Sequence, residues 1–247
     1  MVIPVIWQPI IPQMSYIPAF DQKVNMATPI SPTYPRNDMM NGYMMNNGYS
    51  YALLYNGWLH LIDNTRIEQF LGEMPPSRVN YTNGCIWISV HNRSKAKNLG
   101  VQNLNGLYQE FKQMEYILGT NLNQEYMKQL ALKYNMLCGK WMCFVDTPDV
   151  DRVWSVIARA VSNGRLGHQA KVQSSNPNGI KTHIICVYTN NFLDLDERET
   201  IKNELQKVLI ESNTVVKRIA YKPDLYTYVG IYQNHHSLNE TIDDIVW

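Results

Sequence analysis

Apolar residues recur at helical spacing in several stretches of the chain. Leu104, Leu107, Phe111, Met114 and Leu118 predict a helix over residues 104–118, and Met127, Leu130, Ala131 and Tyr134 predict a shorter one over 124–134. Val150, Val153, Trp154, Ile157 and Val161 form a further stripe, closed by Gly164, and one over residues 195–211 buries Ile201, Leu205, Val208 and Leu209. Residues 146–149 suit a helix start, because Asp and Thr oxygens accept from free backbone N–H groups and Pro148 fits a first turn. Short β-rich runs lie between these stripes. They are residues 85–90 behind the turn pair Asn83-Gly84, 140–145 after Gly139, and 169–173 with 182–189, which read as a hairpin across a turn at 175–179. Two more, 215–221 and 226–232, flank Lys222-Pro223-Asp224. This order predicts an α+β fold with helices covering one face of a mostly antiparallel sheet.

The pattern is absent before Trp58. Residues 1–57 hold seven of the twelve Pro, seven of the twelve Met and only the charges Asp21, Lys23, Arg36 and Asp38. A segment of that kind cannot bury enough apolar surface to offset an ordering cost of about 1–2 kcal/mol per residue. It is read as a disordered Met/Asn/Tyr/Pro-rich tail, either an adhesive interaction segment or a passive extension, followed by one domain over 58–247. No run of the 247 residues is apolar for long enough to span a membrane, and the apolar start is interrupted by Pro4, Pro9 and Pro12, which makes a poor signal peptide. Cys85, Cys138, Cys143 and Cys186 show neither a C-x-x-C pair nor zinc spacing. A reduced protein of the cytoplasm or nucleus, with free thiols as small core hydrophobes, is expected.

A net charge of +1 hides a segregation along the chain. Residues 165–193 contain no acid but carry Arg165, His168, Lys171, Lys181 and His183, and residues 214–223 carry Lys217, Arg218 and Lys222. The loop after the first strand adds Arg93, Lys95 and Lys97, whereas residues 194–211 are rich in Asp and Glu. Basic strands interleaved with Tyr188, Tyr221, Tyr226, Tyr228 and Tyr232 suit phosphate attraction with base stacking, at about 1–3 kcal/mol per stacked base. The plainer reading is that lysines on sheet edges prevent pairing with other sheets.

The strings Gly139-Lys140-Trp141-Met142, Asp151-Arg152-Val153-Trp154, Ala170-Lys171-Val172, His183-Ile184-Ile185-Cys186-Val187-Tyr188 and, above all, the run from Tyr221-Lys222-Pro223-Asp224 to Gly230-Ile231-Tyr232 occur in one order. The chain thereby resembles the basophilic leukaemia-expressed protein family over about residues 87–233. That family is similar in fold to the messenger-RNA cap-binding initiation factor. The resemblance implies a curved, mostly antiparallel sheet with three longer helices on its convex face. It implies function poorly, since one fold hosts many activities. The cap-binding factor holds a methylated guanine between two Trp rings, accepts from it with a Glu and grips the phosphates with Arg and Lys. The corresponding stretches here, 91–100 and 128–138, contain no Trp, so the resemblance implies no tight cap binding. Its phosphate side corresponds to Lys171 and Gln173, two apart on one strand and so on one face, with His183 near its lysine position.

The expected function is a non-catalytic RNA- or nucleotide-phosphate-binding module using a basic concave sheet face. Its candidate ligand residues are Lys171, Gln173, His183, Tyr188, Lys222 and Tyr226, with Arg93, Lys95 and Lys97 as a basic loop. Pro223 holds Lys222 extended, which either aims Lys222 and Tyr226 at a ligand or shapes a bulge. Trp87, Trp141 and Trp154 read as core. The alternative is a protein-interaction adaptor acting through its helical face and the tail; helix 104–118 lacks the exposed Trp through which the cap-binding factor's helical surface receives partners. A third option is metal-independent phosphodiester cleavage with His183 and Lys171 as acid–base and charge-stabilising groups. No cofactor or metal is expected, and His235-His236 reads as an exposed pair.

Overall fold

The structure is a computed structural model and describes residues 51–97, 103–175, 181–214, 216 and 218–246. It begins with a hairpin that lies partly inside the expected tail. Asn56 and Gly57, at φ 48° and 79°, form a turn whose twist matches the strands it joins, β1 (Ala52–Tyr55) and β2 (Trp58–Leu61). The boundary at 57/58 is therefore corrected for residues 51–57, while residues 1–50 lie outside the described residues. The missed signal is local: an Asn-Gly pair between the apolar runs ALLY and WLHL.

Helix α1 (Ile67–Glu73) then carries the chain across to β3 (Trp87–His91), which pairs with β2 in parallel, as such a crossover requires. The helices α2 (Leu104–Leu118) and α3 (Gln124–Tyr134) follow, each opened by an Asn side chain, Asn103 and Asn123, that accepts from a backbone N–H in the first turn. Next come β4 (Gly139–Asp146), α4 (Val150–Ser162), β5 (Gln169–Gln173), β6 (Thr182–Thr189) and α5 (Leu195–Glu211). The chain closes with β7 (Arg218–Pro223), α6 (Asp224–Val229) and β8 (Asp243–Val246). The turn expected at 175–179 lies, beyond Ser175, outside the described residues.

The eight strands form one open sheet in the order β1-β2-β3-β5-β6-β4-β7-β8, antiparallel throughout except for β2–β3. Alternation along each strand splits the sheet into two faces. One face carries Leu59, Ile88, Val172, Ile185, Trp141 and Tyr221 into the main core beneath the helices, including Trp154 and Ile157 of α4 and Leu205 and Val208 of α5. Thus Trp141 and Trp154 are core, as expected, but Trp87 is not. Gly139 shows why the Gly-Lys-Trp string begins as it does: a Cβ there would overlap the Tyr221 phenol, which crosses directly above it.

The strand expected over 226–232 is helix α6. Asp224 follows the extended Pro223, residues Leu225, Tyr226 and Val229 are buried at helical spacing, and Gly230 at φ 85° ends the turn. Alternating tyrosines at 226, 228 and 232 imitate a strand period without being one.

Candidate functional site

The second face of the sheet sets buried polar side chains around a small apolar patch of Met142, Cys186, Tyr188 and Ala220. Its central residue is Lys171 on β5, only 2% exposed. The Lys171 ammonium lies 4.4 Å from the Trp58 ring centroid, 4.1 Å from that of Trp87 and 5.6 Å from that of Tyr188. Strand register produces this cage. Trp58 faces Trp87 across β2–β3, Trp87 faces Gln173 across β3–β5, and Lys171 faces Ser89 on one side and Cys186 on the other. Among the described residues Lys171 has no paired carboxylate and no hydrogen-bond partner; its direct contacts are π faces, with the Asp224 carboxylate acting on it only at longer range. Burial pulls its pKa down from 10.5 to about 8, and the nearby Lys140 pushes in the same direction.

Beside Lys171, Ser89 Oγ lies 2.7 Å from His60 Nδ1 and 3.3 Å from His91 Nε2, and the two ring nitrogens are 3.3 Å apart. His60 stacks on Trp58 at 5.9 Å and 12°. Burial holds His60 at about 4 and His91 well below 6.5, so both imidazoles are neutral. On the far side of Tyr188, Lys140 donates to Asp224 at 2.5 Å and to Thr227 at 3.0 Å. Burial alone would lower the Lys140 pKa, but the Asp224 carboxylate outweighs it and raises the value. Lys222, opposite Lys140 in register, donates to the Ile231 carbonyl at 2.8 Å and sits over the Tyr232 ring at 4.1 Å. Burial lowers its pKa to about 8, partly opposed by Glu240 at 3.5 Å.

Lys171, Tyr188, Lys222 and Gln173 thus share this face, although Lys222 is already committed. His183 and Tyr226 do not join them. His183 falls on the helix-covered face with Ile185 and Val187, fully buried, its Nδ1 2.9 Å from the Gln173 carbonyl oxygen. Tyr226 packs in the main core from α6. The pairing of His183 with Lys171 is therefore corrected. Lys171 stands opposite Cys186 in register, and the odd step along β6 from Cys186 to His183 turns the imidazole to the other face. Arg93, Lys95 and Lys97 are exposed on the loop after β3, and Asn190, two residues past Tyr188, ties that loop down through the Lys95 carbonyl and the Lys97 N–H.

Charge segregation along the chain does not survive folding. Arg165 forks between Glu204 and Glu211 of the acidic helix α5, and Arg218 pairs with Asp244 of β8. Sequence reasoning also passed over Trp58, His60, Ser89, His91 and Lys140. The alternation Trp58/His60 and Trp87/Ser89/His91 is the signal that finds the first four of them.

Glu115, His235 and His236 bring ligand-type atoms within 4.8 Å of one another. The hydrogen bonds oppose a metal there as the residues stand. His235 Nδ1 accepts from the N–H groups of Ser237 and Leu238, so Nε2 carries the proton that it shares with Glu115 at 3.1 Å. Neither ring nitrogen then offers a lone pair. No helix among the described residues is long and apolar enough to cross a membrane.

Residues 112–230 match the model of a family described as basophilic leukemia-expressed protein Bles03, and over that stretch the chain resembles that family as its sequence motifs imply. Solved structures with similar folds include C. elegans eIF4E-3 in complex with the 4E-binding protein Mextli and a cap analog, at 20% identity and TM-score 0.30 over 36% of this chain and 51% of that one. Ascaris suum eIF4E-3 with an m2,2,7G cap shares 17% identity at TM-score 0.33, over 45% of this chain and 59% of that one. The same protein with an m7G cap shares 19% identity at TM-score 0.32, over 45% and 58%. This chain spans between half and three-fifths of the length of these structures, and the likeness is one of fold alone.

Proposed function

We propose that the chain is a non-catalytic module that binds RNA or a nucleotide phosphate on the sheet face opposite the long helices. Lys171 is the anion-binding cation, Trp87 and Tyr188 supply aromatic surface, Gln173 flanks Trp87, and the Arg93–Lys97 loop steers the approach. The observation that carries this reading is the buried Lys171 ammonium, which lacks a carboxylate or hydrogen-bond partner among the described residues. A buried charge of that kind is unfavourable unless something pairs with it, and an anionic ligand does so. The phosphodiesterase alternative loses its acid–base pair, because His183 and Lys171 occupy opposite faces. A methylated, cationic base is disfavoured twice: Trp58 and Trp87 are tilted by 37° at 6.1 Å, which leaves no slot between them, and an ammonium already covers both.

Fluorescence anisotropy with a labelled single-stranded RNA at 50 and 200 mM salt tests the proposal. Binding that weakens with salt and is lost in Lys171→Met supports it; no binding at either concentration, or binding indifferent to salt, overturns it. The adaptor reading has its own support in Tyr116 and Ile117 at the end of α2 and Leu132 on α3, which are 90%, 61% and 50% exposed. A Tyr116→Ser/Ile117→Ser variant, or removal of residues 1–50, that leaves co-purifying partners unchanged counts against it.

A further inference from the structure

The depth of the cation selects among phosphates. Lys171 is 2% exposed, with aromatic rings on three sides and the strand neighbours Ser89 and Cys186 on the others. An internal phosphodiester of a polymer has a sugar on each side of its phosphorus and presents only two free oxygens. It cannot enter a site walled by Trp58, Trp87 and Tyr188 without dragging both sugars against those rings. A phosphomonoester tapers to three free oxygens and enters end-on.

The charge and hydrogen-bond balance point the same way. A monoester carries up to two negative charges, and the described carboxylates around the Lys140–Lys222 end of this face already have partners. Asp224 is taken by Lys140, Glu240 by Lys222, Asp244 by Arg218, and Glu197 by Asn190 and the Asn191 N–H. On the edge of the sheet face, His168 turns its ring toward Tyr188 at 6.2 Å, and its Nδ1 is buried without a hydrogen-bond partner. Lys140, 5.8 Å from the Tyr188 centroid, adds field from the opposite side. A third phosphate oxygen, absent in a diester, gives these groups something to bind.

Resting on the phosphate-binding reading above, we propose that the ligand is a phosphomonoester, the terminal phosphate of an RNA or of a nucleoside monophosphate, held by Lys171 beside Trp87 and Tyr188.

The test compares one oligoribonucleotide in three forms, 5′-phosphorylated, 3′-phosphorylated and with hydroxyls at both ends, using the full chain. Adenosine monophosphate, cyclic adenosine monophosphate and inorganic phosphate serve as competitors. The proposal expects a terminal phosphate to tighten binding at least tenfold, the noncyclic monophosphate to compete and the cyclic diester to fail. Competition by the mononucleotide at concentrations well below those of the phosphorylated RNA assigns the free nucleotide as the source, and the reverse assigns the RNA end. Lys171→Met, or Lys171→Gln should the first not fold, abolishes the preference. Equal, salt-sensitive binding of all three RNAs overturns the monoester assignment while leaving the phosphate-binding reading intact. Binding of none of the probes overturns both.

Discussion

Replacing Lys171 by Met removes a charge from the most confined position on the sheet. A pKa of about 8 in place of 10.5 means that protonated Lys171 burdens the folded state by about 3 kcal/mol at pH 7, at 1.36 kcal/mol per tenfold. That figure is a net one and already contains whatever the three aromatic faces return through cation–π attraction. Met keeps an unbranched stem of similar reach and gives sulfur–aromatic contacts of its own. The variant is therefore expected to be more stable than the parent at pH 7, by up to about 3 kcal/mol. The pH dependence is the sharper part. Between about 8 and 10.5 the unfolded chain holds a proton that the folded chain has released, so the parent gains stability as pH rises through that window, by about 2 kcal/mol between pH 7 and 9.5. Lys171→Met lacks this gain, and its advantage shrinks by that amount or reverses. Urea unfolding followed by Trp fluorescence at both pH values measures it, with an unchanged m-value confirming that only stability moved. A difference between the two proteins that is the same at pH 7 and 9.5 refutes the account of Lys171. So does a variant destabilised by about 2 kcal/mol or more at pH 7, which would mean that the aromatic contacts outweigh the cost of burying the charge.

Asp224→Asn leaves the Lys140 ammonium buried without its carboxylate and is expected to lower unfolding free energy by about 3–5 kcal/mol, whereas the paired change Lys140→Met/Asp224→Leu stays near neutral. Chemical denaturation of both variants decides it, and a loss below about 1 kcal/mol in the single variant contradicts the pairing. Acid should act through His60, whose folded value of about 4 lies below the ordinary 6.5. The unfolded chain takes up the proton first, so stability is full above pH 6.5 and falls by about 3 kcal/mol as pH drops through 4. His60→Gln flattens that limb of a pH series of thermal melts, and an unaltered limb argues against it. Gly139→Ala forces a methyl into the Tyr221 phenol and should cost about 1–3 kcal/mol; an unchanged Tm would show that β4 and β7 part easily there.

Much of the scaffold was legible because its helices carry unbroken apolar stripes with clear ends. The ranges expected for α2, α3, α5, β5 and β6 coincide with those observed, since caps such as Asn123 and Asp194 stand directly before the stripe. What escaped was short. Strands β1 and β2 have four residues each and lie beside a Pro-rich stretch that dominates composition. Strand β8, also four residues long, owes its place to pairing with β7 rather than to any period of its own. Lys171 was legible as a candidate because it stands alone among small strand residues. Its cage was not, because Trp58, Trp87 and Tyr188 lie far apart in sequence and meet only through register. Absence of acids along a stretch proved a poor guide to absence in space. Arg165 and Arg218 find carboxylates on α5 and β8, whereas Lys171, in the same acid-free run as Arg165, finds none among the described residues.

The two halves of the site come from different parts of the chain. Lys140, Lys171, Tyr188, Lys222 and Asp224 fall inside residues 112–230, which match the Bles03 family model, while Trp58, Trp87 and the Ser89–His60–His91 cluster fall before it. The basic strip is thus part of the shared stretch, and β2 and β3 supply the walls that bury it. The walls change the physics of the strip. A phosphate oxygen 4 Å from an ammonium gains about 1 kcal/mol in water but about 4 kcal/mol at an effective dielectric constant near 20. The same exclusion of water that pulls the Lys171 pKa down to about 8 would, under the proposed function, strengthen its attraction for an anion, and an anion bound there would raise that pKa and relieve the burden. On that reading affinity and instability at Lys171 have one cause, burial behind the two tryptophans, and cannot be tuned apart by changing the lysine. Trimming Trp87 should admit water to the ammonium, moving the Lys171 pKa back toward 10.5 and making phosphate binding weaker and more salt-sensitive, whereas trimming a residue of the exposed Arg93–Lys97 loop should alter the salt dependence of binding and leave that pKa as it is.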